Sequence, residues 1–131
     1  KEYAEINAVA ENNSMLDEMA SLLKKDIIVT TVANRWDDDL FSLRLAWTMR
    51  WIELILKLKM TNDTSILHGV HGEKMMGYLA EKCSEFDLLA LHRESLQQYR
   101  LFLGSSNPNK TLGFEYLLHQ WVKLMSSKGV Q

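Results

Sequence analysis

The sequence predicts an all-α fold, a compact bundle of about five to seven helices, because apolar residues recur at three- and four-residue spacing. The chain of 131 residues contains one Pro and six Gly, too few for the many turns of an all-β sandwich. Its hydrophobic and charged fractions, 47% and 24%, are those of an ordinary globular protein. We therefore expect residues 1–131 to form a single helical domain.

The N-terminal third is predicted to contain short helices. The stretch of residues 2–10 is interrupted by the polar residues 11–13, and Ser14 then begins a pattern that resembles a capping box and predicts a new helix. The next segment, Ile27–Trp36, contains the β-branched run Ile27–Val32, which favours a strand by propensity. We expect a helix there, because a lone strand in this chain would have no partner.

A long helix from about Leu40 to Met60 is the most informative element. The acidic run before it, Asp37–Asp39, is interpreted as an N-cap with favourable charge, because adjacent carboxylates diverge and make a poor metal site. Two apolar stripes follow this helix. The stripe expected to face the core consists of Leu43, Trp47, Trp51, Leu54 and Leu58. The second stripe consists of Leu45, Met49, Ile52 and Leu56.

The second stripe has two interpretations. A surface helix of a small monomer normally buries one apolar stripe, so the second stripe is our candidate for a partner interface. Alternatively, shorter helices of the same domain cover it. The sequence leaves both possibilities open.

Three further helices are predicted in the C-terminal half. A polar loop, Thr61–Ser65, precedes a short helix, Glu73–Lys82, and Ser84 is an N-cap signature for the next helix. The last helix is expected over Thr111–Met125, after a break at Gly104–Asn109. A tail of residues 126–131 is expected to fray. The core residues predicted on the last two helices are Leu89, Leu96, Leu117, Leu118 and Trp121.

The sequence lacks the patterns that mark catalytic or cofactor sites. His68 and His71 could suggest a zinc site, but no Cys or carboxylate at a recognised ligand spacing completes the set, and Cys83 is isolated. Phosphate loops, His-Glu-x-x-His helices and Gly-x-Ser-x-Gly elbows are missing. We therefore expect an interaction domain without catalysis, cofactor, metal or small-molecule substrate.

Charge and cysteine content indicate which partners and which cellular compartment suit this chain. A formal net charge of −2 lacks the basic excess of a nucleic-acid binder. The single Cys83 cannot form an internal disulfide, so we expect a cytoplasmic protein. Residues 40–60 carry too many charges for a membrane span. Because the chain begins with Lys1 rather than Met, we expect a piece of a longer protein.

From Trp36 onward, three sequence segments follow one another in an order that is typical of a known family. It starts with Trp36-Asp-Asp-Asp39, continues through the Leu- and Trp-rich helix Leu43–Lys57, and ends in the segment Asn109–Trp121. This succession resembles the C-terminal domain of the delta-prime subunit of bacterial DNA polymerase III, a clamp-loader component. The resemblance covers Trp36–Met125 well and Ser14–Arg35 loosely.

The resemblance implies a helical collar domain that joins delta-prime to the delta and gamma/tau subunits in a hetero-pentamer. In that family the assembly opens the sliding clamp and places it on primed DNA. The resemblance also implies that ATP hydrolysis lies elsewhere, that this chain contacts DNA only indirectly, and that the parent holoenzyme is a DNA-directed DNA polymerase. The alternative is a helical adaptor or ligand-free effector domain of a bacterial regulatory protein that acts by self-dimerisation.

Overall fold

The computed structural model describes residues 2–104 and 109–130, with side chains for residues 7–104 and 109–125. Helices make up most of this part of the chain. Six α-helices, one 3₁₀-helix and no strand are found there, which confirms the all-α prediction. Most of the predicted Gly104–Asn109 break and the side chains of the tail lie outside the described residues. The elements are α1 (Glu2–Leu23), α2 (Val29–Trp36), α3 (Phe41–Thr61), the 3₁₀-helix (Thr64–Leu67), α4 (Glu73–Lys82), α5 (Glu85–Leu103) and α6 (Lys110–Val130).

Helix α1 is continuous where the sequence predicted an interruption. Ser14 lies exposed in the middle of the helix, so the predicted break and cap are wrong. Two of the three polar residues that suggested the break are bound by α3. Trp51 Nε1 donates to Asn12 Oδ1 at 3.0 Å, and Arg44 pairs with Glu11 at 3.2 Å. These contacts satisfy side chains that would otherwise compete for backbone hydrogen bonds.

Helix α2 confirms that a helix occupies most of the β-branched segment. It begins at Val29, after Ile28 in an extended conformation. Tertiary packing outweighs strand propensity here, because one face of α2 is buried against α6 and the rest of the core. Its buried residues are Val29, Val32, Ala33 and Trp36.

A chain of aromatic rings holds four helices together. Trp36 of α2 lies 5.7 Å from Phe114 of α6, and Trp51 of α3 lies 6.2 Å from Trp121 of α6, measured between ring centroids. Both pairs are edge-to-face, the geometry that favours attraction between ring quadrupoles. Phe102 of α5 and Phe41 of α3 extend the chain.

Helix α3 is central, since both α4 and α5 pack along it. Among the residues predicted for the core, Trp47, Leu54 and Leu96 are half-buried. Five others are fully buried: Trp51, Leu58, Leu117, Leu118 and Trp121.

Two core assignments are wrong. Leu43 is 41% exposed and Leu89 is 52% exposed. Leu43 lies nearly opposite the buried Thr48 on α3, since five residues turn an α-helix by about 140°. On α5 the run of leucines left the helical phase ambiguous. The residues that α5 buries are Leu88, Leu91, Ser95 and Phe102.

Two local predictions in the second half are confirmed. Helix α4 spans Glu73–Lys82 as expected. The Ser84 hydroxyl accepts a hydrogen bond from the Asp87 N–H at 3.0 Å and so caps α5. Along the described residues, no helix has the length and apolar character to cross a membrane.

Candidate protein-interaction surfaces

The second stripe of α3 lies inside this chain. Leu45 and Ile52 are 1% and 0% exposed, Leu56 is buried, and Met49 is half-buried. The cover comes from other helices of the bundle, since α4 and α5 both pack on α3. Our expectation of a free partner interface on this stripe is therefore corrected. The alternative, cover by shorter helices of the same domain, describes the structure.

Side chains of the acidic run Asp37–Asp39 connect neighbouring helices. Asp38 forms a 2.7 Å ion pair with Arg44, whose nearly buried guanidinium also reaches Glu11 of α1. The hydrogen bond from Arg44 holds the pKa of the Asp38 carboxyl below its usual value. The same pair, opposed by burial, raises the pKa of Arg44.

The predicted N-cap of α3 within the acidic run is wrong. Helix α3 begins after Leu40, which makes no side-chain cap. Asp38 Oδ1 instead accepts a hydrogen bond from the Leu40 N–H at 3.0 Å. Asp37 Oδ2 accepts a hydrogen bond from the Thr111 hydroxyl at 2.6 Å. This bond joins the start of α6 to the turn between α2 and α3.

Two histidines, His71 and His92, link separate elements. His71 Nε2 lies 2.7 Å from Asp17 Oδ1 of α1, and His92 Nε2 lies 2.9 Å from Glu53 Oε2 of α3. His68 is exposed. Within the described ranges, no three His, Cys, Asp or Glu side chains are arranged to hold a metal ion.

The outward side of α5 combines apolar and arginine side chains. Phe86 is 75% exposed in its first turn, although a side chain of this size normally favours burial. Arg93 and Arg100 make no ion pair with any side chain that the structure describes. We define the α5 outer face by its exposed residues Phe86, Leu89, Arg93, Gln97, Arg100, Leu101 and Leu103.

Sequence reasoning missed the apolar part of this face. Leu89 was assigned to the core, and Phe86 was assigned to neither side. The available signal was the N-cap at Ser84, because it fixes where the helix starts. It does not fix which of several adjacent leucines points inward, and that phase depends on contacts with α3 and α6.

Comparisons with known proteins add one relative. DNA polymerase III subunit delta' of Pseudomonas aeruginosa is 30% identical over 110 residues, which is 84% of this chain and 34% of that protein. The chain therefore spans about a third of the length of the curated relative that it matches. The match confirms the resemblance to the delta-prime subunit, and its extent fits a C-terminal domain.

The other two comparisons give no match. No protein-family model matches the chain. No solved structure matches it significantly.

Proposed function

We propose that this chain is a non-catalytic assembly domain of a DNA polymerase III clamp loader. It would oligomerise a delta-prime-type subunit with delta and gamma/tau subunits in a hetero-pentamer, for sliding-clamp loading during DNA replication in the cytoplasm. The observation that carries this proposal is the 30% identity to the delta' subunit over 84% of the chain. It is supported by the all-helical bundle, which is the architecture that the resemblance implies.

The α5 outer face is our proposed contact surface for these partners. Aromatic residues and Arg are enriched at protein interfaces, whereas Lys and Glu are depleted. Phe86 offers a large apolar anchor at one end of this face, and Arg93 and Arg100 offer guanidinium groups to carboxylates of a partner. Leu101 and Leu103 provide apolar area near the other end, where both side chains are exposed.

A role without catalysis is supported by where the perturbed ionisable groups lie. Shifted pKa values often mark catalytic groups. Here the pKa shifts at Asp38 and Arg44 arise mainly from the hydrogen-bonded ion pair between them, which joins α3 to the turn before it. The pKa of Asp63 is lowered by hydrogen bonds from Ser65, and that of Tyr116 is raised by its hydrogen bond to Glu94. The carboxylate pairs of Arg35, His71 and His92 likewise connect separate elements.

The test is reconstitution of the full-length protein that contains this chain with delta and gamma/tau subunits of the same organism. The test variant is Phe86→Glu with Leu89→Glu. It should fold normally, because both side chains are exposed, yet bind its partners roughly 30-fold more weakly, as expected for loss of hot-spot residues. The readouts are co-elution on size exclusion and a thermal melt.

Leu112→Glu is the matched control, since Leu112 is also exposed but lies on α6. It should assemble normally. Failure of the unaltered protein to assemble with these subunits, or its behaviour as a stable homodimer, would contradict the clamp-loader role. Normal assembly of the α5 variant would contradict only the choice of surface.

A further inference from the structure

A pocket of about 320 Å³ lies between α1 and α3. This volume is at the small end of the range for ligand pockets, so the pocket suits one large side chain better than a helix. It is partly open to solvent and has both apolar and polar walls. The lining of this α1–α3 pocket includes Val9, Asn12 and Asn13 on α1 and Trp47, Arg50 and Leu54 on α3.

The spacing along α3 brings aromatic, cationic and aliphatic side chains to this pocket. Trp47, Arg50 and Leu54 are separated by three and four residues, so they share one face of the helix. Trp51 Nε1 donates a hydrogen bond to Asn12 Oδ1 at 3.0 Å and holds α1 against this part of α3. Because an indole N–H can only donate, this contact uses the amide oxygen of Asn12. Asn12 Nδ2 remains a donor, and it binds no residue that the structure describes.

The charge at the α1–α3 pocket is positive. Arg50 is exposed and forms no ion pair with any side chain in residues 7–104 and 109–125. His71 also lines the pocket, but its Nε2 already lies 2.7 Å from Asp17 Oδ1. Among the described residues that line the pocket, none is Asp or Glu. The guanidinium of Arg50 is therefore a cation without a carboxylate on the same lining.

Two carboxylates that are close in sequence to the lining residues are engaged elsewhere. Glu11 on α1 accepts a hydrogen bond from Arg44 at 3.2 Å, and Glu53 on α3 lies 2.9 Å from His92 Nε2. Neither carboxylate lines the pocket. The charge of Arg50 is therefore left for a bound anion.

We propose that the α1–α3 pocket binds the C-terminal residue of a partner protein, one that carries a large apolar side chain. Arg50 binds the terminal carboxylate through its planar guanidinium, which can donate to both oxygens, and Asn12 donates a further hydrogen bond. The apolar side chain packs against Trp47 and Leu54, which are half-buried. An internal Asp or Glu would bring the same charge without an apolar group on the same residue.

The shape of the pocket favours a chain end over a free small molecule. Small ligands normally have most of their surface buried. The α1–α3 pocket is partly open to solvent, so the preceding residues of a partner chain can leave through the open side. This site is separate from the α5 outer face and does not depend on the clamp-loader role.

The probes are N-terminally labelled peptides of sequence Gly-Ser-Gly-Ser-Phe, one with a free C-terminal carboxylate and one with a C-terminal amide. Fluorescence anisotropy measures their binding to the full-length protein that contains this chain. The carboxylate peptide should bind about tenfold more tightly than the amide peptide, because the amide cannot form the charge-assisted hydrogen bonds. A third peptide, Gly-Ser-Gly-Ser-Gly with a free carboxylate, lacks the apolar side chain and should bind as weakly as the amide peptide.

Substitutions at exposed positions test each part of the site. Arg50→Gln should remove the preference for the carboxylate, and Arg50→Lys, which keeps the charge but not the planar pair of donors, should retain part of it. The matched control is Lys57→Gln, which removes one positive charge from an exposed position of the same helix outside the pocket. Val9→Glu, at a lining residue that is 60% exposed, should prevent binding of the carboxylate peptide and leave the circular dichroism spectrum unchanged.

Several outcomes would overturn the proposal. Among them are equal binding of the carboxylate and amide peptides, the absence of saturable binding, and an unchanged preference in Arg50→Gln. An equal loss of preference in Lys57→Gln would also do so, because the effect would then arise from net charge rather than from the pocket. Tighter binding of N-acetylphenylalanine than of the carboxylate peptide would overturn the chain end as occupant in favour of a free small molecule. No loader subunit enters these measurements, so their failure leaves the proposed function to its own test.

Discussion

Replacing Gly113 by Ala should destabilise the fold, although the same change usually stabilises a helix. Gly113 lies in α6 where it crosses α5. A Cβ added there would lie 2.8 Å from Cε1 and 2.9 Å from Cζ of Phe102. The ring cannot easily move away, because it packs edge-to-face on Phe114 at 5.4 Å and on Phe41 at 5.8 Å. Gln98 Oε1 is also close, at 2.9 Å, but the end of that side chain can rotate.

Two opposing contributions decide the sign. Ala in place of Gly within a helix contributes about 0.5–1 kcal/mol of stability. Overpacking a well-filled core costs about 1–3 kcal/mol. The steric cost is the larger, so Gly113→Ala should lower the free energy of unfolding by roughly 1–2 kcal/mol.

Gly77 provides a matched control within the same chain. It is also helical, in α4, but a Cβ added there would meet nothing within 4 Å. Gly77→Ala should therefore stabilise the fold by about 0.5–1 kcal/mol, and the difference between the two variants isolates the overpacking cost. In thermal melts followed by circular dichroism, the two should differ by roughly 5–10 °C. A melting temperature of Gly113→Ala equal to or above that of Gly77→Ala would refute the reasoning.

Two other substitutions test the polar contacts of the bundle. Arg44 lowers the pKa of Asp38 from its usual 3.8, so this pair stabilises the fold above that pH and the contribution is lost as the pH falls through the lowered pKa. Asp38→Asn should cost about 1 kcal/mol at neutral pH, and denaturant titrations should show this deficit shrinking on acidification; a constant deficit would contradict the linkage. Ser95 Oγ is fully buried and has no hydrogen-bond partner among the described residues, so Ser95→Ala should stabilise by about 0.5–1.5 kcal/mol, and a lower melting temperature would argue against this.

Local sequence signals predicted some helix ends, those of α4 and the start of α5, but not which way a helix faces. The limits of α4 and the Ser84 cap depend on residues next to each other in the chain, so the sequence contains them. The phase of α5 depends on which leucine meets α3. The sequence alone does not show this, and Leu89 was therefore predicted on the wrong side of the helix. The cover over Ile52 comes from helices more than 20 residues away along the chain, so the second stripe of α3 could not be assigned from its own pattern. The α5 outer face was missed for the same reason.

The positions of the tryptophans determine what fluorescence reports about this fold. All four tryptophans of the sequence, at positions 36, 47, 51 and 121, lie on α2, α3 and α6. Tryptophan emission therefore reports directly on the packing of these three helices, while far-ultraviolet circular dichroism averages over all helices of the bundle. Coincident melting curves from the two signals would establish one cooperative transition. Separate curves would reveal that α1, α4 or α5 unfolds while the tryptophan-bearing half of the molecule stays folded.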